Sequence, residues 1–248
     1  MLIQVFIIAQ CLSLIAGAND RPRSRIREGQ LAKDDEFTGT VSLAYPNNFI
    51  HTCGGGIIGP HHVLTAAHCV HGKPLGQVVR AGIHDIRDTD NVIEVAVKKV
   101  IIHPQYLAQA DYRASDSDIA LLVLESDLTF SNRVNAYSLP TEKPVPGSYF
   151  VAGWGRNARN PTTYQFQLKW VAMILDDPDK CYGSAPEAIC SYSSVGSTCS
   201  GDSGSPLIRG GNIYGIDSAG VCEPGKPTRF TNVYHFLDWI QTNMQRYN

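Results

Sequence analysis

The sequence predicts an all-β protein with one helix at its C-terminal end. Short runs rich in β-branched and aromatic residues recur along the chain, and turn residues, among 22 Gly and 14 Pro in 248 residues, separate them. Only one segment shows helical periodicity. Strands without alternating helices give a sandwich or barrel, not a parallel α/β sheet. A 43% hydrophobic content supplies a core for one domain or two small ones.

From the N-terminus, the apolar run from Met1 to Ile15 meets the small residues Ala16-Gly17-Ala18. Residues 1–18 are therefore expected to be a signal peptide cut after Ala18, in a chain destined for secretion. The run is short for a membrane span, so no membrane association is expected. Because no Lys or Arg precedes it, a signal anchor is the alternative. Residues 19–25, Asn-Asp-Arg-Pro-Arg-Ser-Arg, are basic and lack apolar side chains, which suits a cleavable segment or a plain linker.

Strand-like runs follow at Thr40–Ala44, Gly56–Ile58, His62–Thr65, Val92–Val97, Ile119–Leu124, Tyr149–Ala152, Ser205–Ile208 and Asn212–Ile216. The helix is expected near Tyr234–Arg246, with Phe236, Leu237, Ile240 and Met244 on one packing face. No internal repeat or low-complexity tract interrupts this order.

Charge and cysteines narrow the function classes. With 21 Lys+Arg against 23 Asp+Glu, the chain carries no basic footprint for nucleic acid. Of seven cysteines, Cys11 lies in the signal segment, leaving Cys53, Cys69, Cys181, Cys190, Cys199 and Cys222. An even set in a secreted chain implies disulfides, although spacing alone does not choose among the many pairings. No CxxC occurs and the histidines are scattered, so neither zinc nor another cofactor is expected.

Three motifs carry chemistry. Ser203 lies in Ser200-Gly201-Asp202-Ser203-Gly204-Ser205-Pro206, a glycine-hinged turn that exposes one hydroxyl among backbone N–H groups. His68 lies in Thr65-Ala66-Ala67-His68-Cys69, and Asp118 opens Asp118-Ile119-Ala120-Leu121. A serine becomes nucleophilic when a histidine takes its proton and a buried carboxylate holds that histidine in one tautomer. With Gly153-Trp154-Gly155 and the cysteines beside His68 and Ser203, these motifs make nearly the whole mature chain resemble the chymotrypsin- and trypsin-like serine proteases.

The resemblance implies two six-stranded antiparallel barrels, about 26–130 and 131–248, within a peptidase domain spanning 26–248. It implies His68, Asp118 and Ser203 as the catalytic residues, with the Gly201 and Ser203 N–H groups as the oxyanion hole. Ser218 would bond Asp118. The implied bridges are Cys53–Cys69, Cys181–Cys190 and Cys199–Cys222. Cleavage after Arg25 by an activating protease would free the Ile26 amine to pair with Asp202, although Arg27-Glu28 and Ser205 depart from the family pattern. Ser197 would floor the specificity pocket, with Gly220, Thr228 and Asp217 on its walls. This suggests a chymotrypsin- or elastase-like preference, or a basic one if Asp217 is not paired with Arg229. The loop from Gly82 to Glu94 replaces the first calcium ligand of trypsins with Ile83, so no metal is expected. Implied partners are protein or peptide substrates and protease inhibitors, acting on a monomer. A protease-like binding protein with little catalysis is the competing reading.

Overall fold

The structure is a computed structural model that describes residues 29–46, 50–73, 76–90, 92–107, 116–156, 165–175 and 186–248. The expected signal peptide, Arg25, Ile26 and Cys181 lie outside the described residues.

The chain begins with β1 (Gln30–Leu31), β2 (Thr40–Ala44), β3 (His51–Gly59), β4 (His62–Thr65), β5 (Val78–Ala81), β6 (Ile93–Ile102) and β7 (Ala120–Leu124). It continues through β8 (Gly147–Gly153), β9 (Lys169–Leu175), β10 (Ala188–Tyr192), β11 (Pro206–Arg209), β12 (Asn212–Ala219) and β13 (Thr228–Asn232). Two helices are described, the single turn α1 (Pro104–Leu107) and α2 (Leu237–Arg246).

Strands β2-β3-β4-β7-β6-β5 close an antiparallel barrel. A second closes through β8-β9-β10-β13-β12-β11, where β11 returns to pair β8 and β1 adds to β9. The two six-stranded barrels expected from the resemblance are thus present. Closure leaves neither barrel with a free edge among these ladders. In β2 and β7 every residue is buried, because one face lines the barrel and the other is covered.

The chain ends depart from a simple two-part division. Gln30 and Leu31 pair with Trp170 and Lys169 of the second barrel. Helix α2 returns to the first, where Ile240 and Phe236 join the core of Leu43, Leu64 and Leu121. The helix begins at Leu237, with Tyr234–Phe236 in the preceding turn, and Trp239 adds to its packing face. Each barrel is therefore strapped by a segment from the other end of the sequence.

Strand β3 runs longer than the Gly56–Ile58 expectation because Gly54 and Gly56 let the barrels approach. A Cβ on Gly56 would meet Ile213 Cδ1 at 2.7 Å, and one on Gly54 would strike Ser205 Oγ. The disulfides Cys53–Cys69 and Cys199–Cys222 form, with Cα atoms 6.1 and 4.5 Å apart. Cys190 is also disulfide-bonded.

Candidate active site

Strand β4 delivers His68 on the short 3-10 turn Ala67–Cys69, which the Cys53–Cys69 bridge ties back to β3. Asp118 stands two residues before β7, and β4 pairs with β7, so adjacent strands bring these side chains together. His68 Nδ1 lies 2.7 Å from Asp118 Oδ2, and the His68 backbone N–H donates to Asp118 Oδ1 at 2.9 Å. From the second barrel, Ser218 Oγ donates to Asp118 Oδ2 at 2.7 Å and Thr231 Oγ1 donates to the Asp118 carbonyl at 2.9 Å. A carboxylate accepting at Nδ1 places the proton there and leaves Nε2 as the basic nitrogen.

Ser203 lies on the turn entering β11. Gly201 has φ +103°, in the left-handed region that favours glycine. Gly204 has φ +83°, and a Cβ there would strike Thr65 Oγ1 and the Gly54 carbonyl. The turn is fixed from several sides. Gly54 N–H donates to the Ser203 carbonyl at 2.8 Å, Gly204 N–H to the Asp217 carbonyl at 2.7 Å, and Ser205 N–H to the Asp202 carbonyl at 2.8 Å. Among the described residues the Gly201 and Ser203 N–H groups take no backbone acceptor. No hydrogen bond joins Ser203 Oγ to His68 in this conformation; such bonds tighten when substrate binds.

His51 is a supporting residue that sequence reasoning missed. Its ring bridges Ser42 Oγ, 2.8 Å from Nδ1, and the Gly201 carbonyl, 2.8 Å from Nε2. The carbonyl accepts only, so Nε2 carries the proton and Ser42 donates to Nδ1. Burial pushes the His51 pKa down to about 4 and keeps the ring neutral, although the Gly201 hydrogen bond acts in the opposite direction. Nothing in Ile50-His51-Thr52-Cys53 distinguishes this histidine from seven others.

Asp202 is held by N–H groups of Gly155, 2.8 Å away, and Cys199, 2.9 Å away. Burial nevertheless pushes its carboxyl up to about 6. It lines a cleft of about 40 Å3 together with Gly29, Gly155, Trp170 and Ser197. Ser197, expected at the floor of the specificity pocket, therefore belongs to this cleft, and its hydroxyl turns to the Thr198 carbonyl at 3.0 Å.

A second cleft, of about 160 Å3, adjoins Ser203 and is lined by Thr198, Cys199, Asp217, Ser218 and Gly220. Thr228 stands behind it, with the Thr198 hydroxyl 3.4 Å from the Thr228 hydroxyl. The expected Asp217–Arg229 pair does not form. Arg229 pairs with Asp116, because its side chain reaches across to the loop ahead of Asp118.

Ser205 fits where the family pattern has glycine because Gly54 offers no Cβ against it. Its hydroxyl is fully buried with no hydrogen-bond partner among the described residues. Ser205→Ala removes an unsatisfied polar group without opening space, and should stabilise the protein by about 1–2 kcal/mol. A urea midpoint that falls in the variant would contradict this account.

The close trio Cys53, His68 and Cys69 has both sulfurs tied in a disulfide, so it offers no thiolate. In the loop 82–92, the Ile86 and Asp88 carbonyls and the Glu94 carboxylate are taken by the guanidinium of Arg80.

The comparisons agree with this geometry. The family model for trypsin matches residues 26–240. The chain is 32% identical to the CLIP domain-containing serine protease B4 of Anopheles gambiae, over 89% of this chain and 70% of that protein. It is 31% identical to human serine protease 1, over 94% of this chain and 96% of that protein. Among solved structures, mouse neuropsin, a serine protease, superposes with a TM-score of 0.79 at 28% identity, covering 88% of this chain and 99% of neuropsin. A barrel pair that sets His68 and Asp118 of the first barrel against Ser218 of the second, matched over its length by these proteases, places the chain in the trypsin family of serine proteases, hydrolases that cleave peptide bonds.

Proposed function

We propose that this chain is a secreted endopeptidase made as a zymogen, with Ser203 as nucleophile and His68 as general base. The observation that carries the reading is the chain of contacts from Ser218 through Asp118 to His68 Nδ1, each at 2.7 Å. It fixes the imidazole in the tautomer that accepts a proton at Nε2. Ser203 Oγ attacks the scissile carbonyl and passes its proton to His68, which returns it to the leaving amine. Water then hydrolyses the acyl-enzyme by the same route. The Gly201 and Ser203 N–H groups receive the oxyanion, each worth roughly 3–4 kcal/mol of the barrier.

The activation reading is supported by Gly29, which lines the same cleft as Asp202. Cleavage after Arg25 would leave Ile26 three residues before Gly29, a reach of about 10 Å in extended chain. Its new ammonium would pull the Asp202 carboxyl down from about 6 and keep it ionised, forming a buried pair that fixes the Gly201–Ser203 turn. Thr198 lines the cleft beside Ser203, and its hydroxyl meets that of Thr228. This favours a medium apolar side chain, with aromatic ones also accepted, in the residue preceding the scissile bond. The working form is an extracellular monomer open to protein substrates and to protease inhibitors. Among the described residues, no helix is long and apolar enough to cross a membrane.

Fluorophosphonate labelling tests the reading. Protein cut after Arg25 should label at Ser203, the uncut form far less, and Ser203→Ala not at all. Absence of labelling in fully processed protein would leave a protease-like binding protein as the reading.

A further inference from the structure

The cleft beside Ser203 contains an acid that the proposed mechanism leaves unused. Asp217 lies on β12, is 3% exposed, and lines the cleft together with Thr198 and Gly220. Its partner across the sheet, Phe230, is apolar, and the adjacent cation, Arg229, is paired with Asp116. No cation among the described residues pairs with Asp217. The groups that face it are the Thr198 hydroxyl, Asp202 on the nucleophile turn and Asp118 ahead of β7. His68 acts on this set only through Asp118.

A buried acid with two carboxyl neighbours and no cation either stays protonated or ionises only when a cation joins it. The cleft beside the nucleophile is where the side chain preceding the scissile bond must go. We propose, building on the protease reading above, that Asp217 is the specificity-determining residue of this cleft and receives, from its wall, the ammonium or guanidinium of a Lys or Arg side chain.

The apolar preference and this basic one belong to two protonation states of a single cleft. Burial, reinforced by the charges of Asp202 and Asp118 and only partly offset by Thr198, holds the Asp217 carboxyl well above the usual carboxylate range. Below that raised value the acid is neutral, and the cleft suits an apolar side chain. Above it the carboxylate pairs with a cation and disfavours apolar occupancy. Binding a basic side chain to the neutral form expels the Asp217 proton, whereas apolar binding retains it. Substrate preference therefore moves from apolar towards basic as pH rises. Neutralising Asp202 with the Ile26 amine weakens one repulsion on Asp217, so processed protein is the form to measure.

The test compares kcat/KM for peptides that differ only in Lys, Arg or Leu before the scissile bond, between roughly pH 5 and 9. The general-base role of His68 is common to every substrate, so it cancels in the basic-to-apolar ratio. That ratio should rise with pH, by up to about tenfold per unit, until Asp217 is ionised. Asp217→Asn should flatten the profile and lower the basic-to-apolar ratio roughly 100-fold at the upper end of the pH range. A ratio that Asp217→Asn leaves unchanged overturns the proposal. Fluorophosphonate labelling of the same samples separates the two readings. An unlabelled wild type overturns the protease itself, whereas labelling with an unchanged ratio overturns only the role of Asp217. Should Asp217→Asn and Asp217→Val both fail to fold, benzamidine binding to processed wild type in two buffers of different ionisation enthalpy decides. Net proton release on binding supports the proposal, and none overturns it.

Discussion

Replacing Ser203 by alanine in the processed protein should lower kcat/KM about a million-fold, and His68→Ala should do nearly the same. The double variant should lose little more. The two side chains serve one proton transfer, so removing either abolishes the step and removing both abolishes the same step. Asp118→Asn should cost about ten-thousand-fold, because an amide facing Nδ1 favours the wrong tautomer. Ser218→Ala should cost far less, since Asp118 keeps its two contacts with His68, at 2.9 and 2.7 Å. Some activity above the uncatalysed rate should survive in every variant through the Gly201 and Ser203 N–H donors, which none of these changes touches. Measurement of kcat/KM on one peptide ester across the set checks the pattern. Additive losses in the Ser203→Ala/His68→Ala double variant would contradict a shared step.

Arg80→Met should be the most damaging change outside the active site, destabilising the protein by about 3–5 kcal/mol and lowering Tm by roughly 10 °C. Arg80 lies on β5 with 1% exposure, and its register partner Glu94 stands opposite on β6. Its Nε donates to Glu94 Oε1 at 2.9 Å, Nη1 to the Ile86 carbonyl at 2.6 Å and Nη2 to the Asp88 carbonyl at 2.6 Å. The loop after β5 is wound around this one guanidinium. Methionine fills the volume but leaves the Glu94 carboxylate and two carbonyls without that donor, and it is the abandoned partners that cost most. Glu94 is 34% exposed at its side chain, so Glu94→Gln should cost only about 1 kcal/mol. Adding Glu94→Gln to Arg80→Met should recover part of the loss by removing the abandoned charge. Urea unfolding of the three variants tests this; an Arg80→Met midpoint near that of the parent would rule out the guanidinium as the organiser of the loop.

What is legible in the sequence is local. Ser203, His68 and Asp118 each sit in a short motif whose neighbours shape the turn that presents them, so residue order and spacing identify them. Helix α2 is legible for the same reason, because its apolar period lies within ten residues. The triad contact itself required adjacent β4 and β7, and the Ser218 contact required the second barrel.

The specificity cleft was less legible, for a physical reason. Pocket walls are set by which way a side chain turns, and that depends on partners far away in the chain. Ser197 turned to its neighbour's carbonyl, and Arg229 found Asp116, more than a hundred residues earlier, rather than the nearby Asp217. The Ser42–His51–Gly201 bridge likewise joins residues 150 positions apart through an imidazole with no motif around it.

By itself, then, the sequence determined the all-β class and the C-terminal helix and singled out the candidate catalytic residues, since these depend on covalent order and short-range periodicity. Only the tertiary structure decided which cation each buried carboxyl receives. Ion pairs form by proximity in space, and closing two barrels against each other brings together residues that no local pattern relates. Around Ser203, pairing of β4 with β7 gave Asp118 its histidine, barrel packing added Ser218, and Asp217 was left lining the cleft without a cation among the described residues.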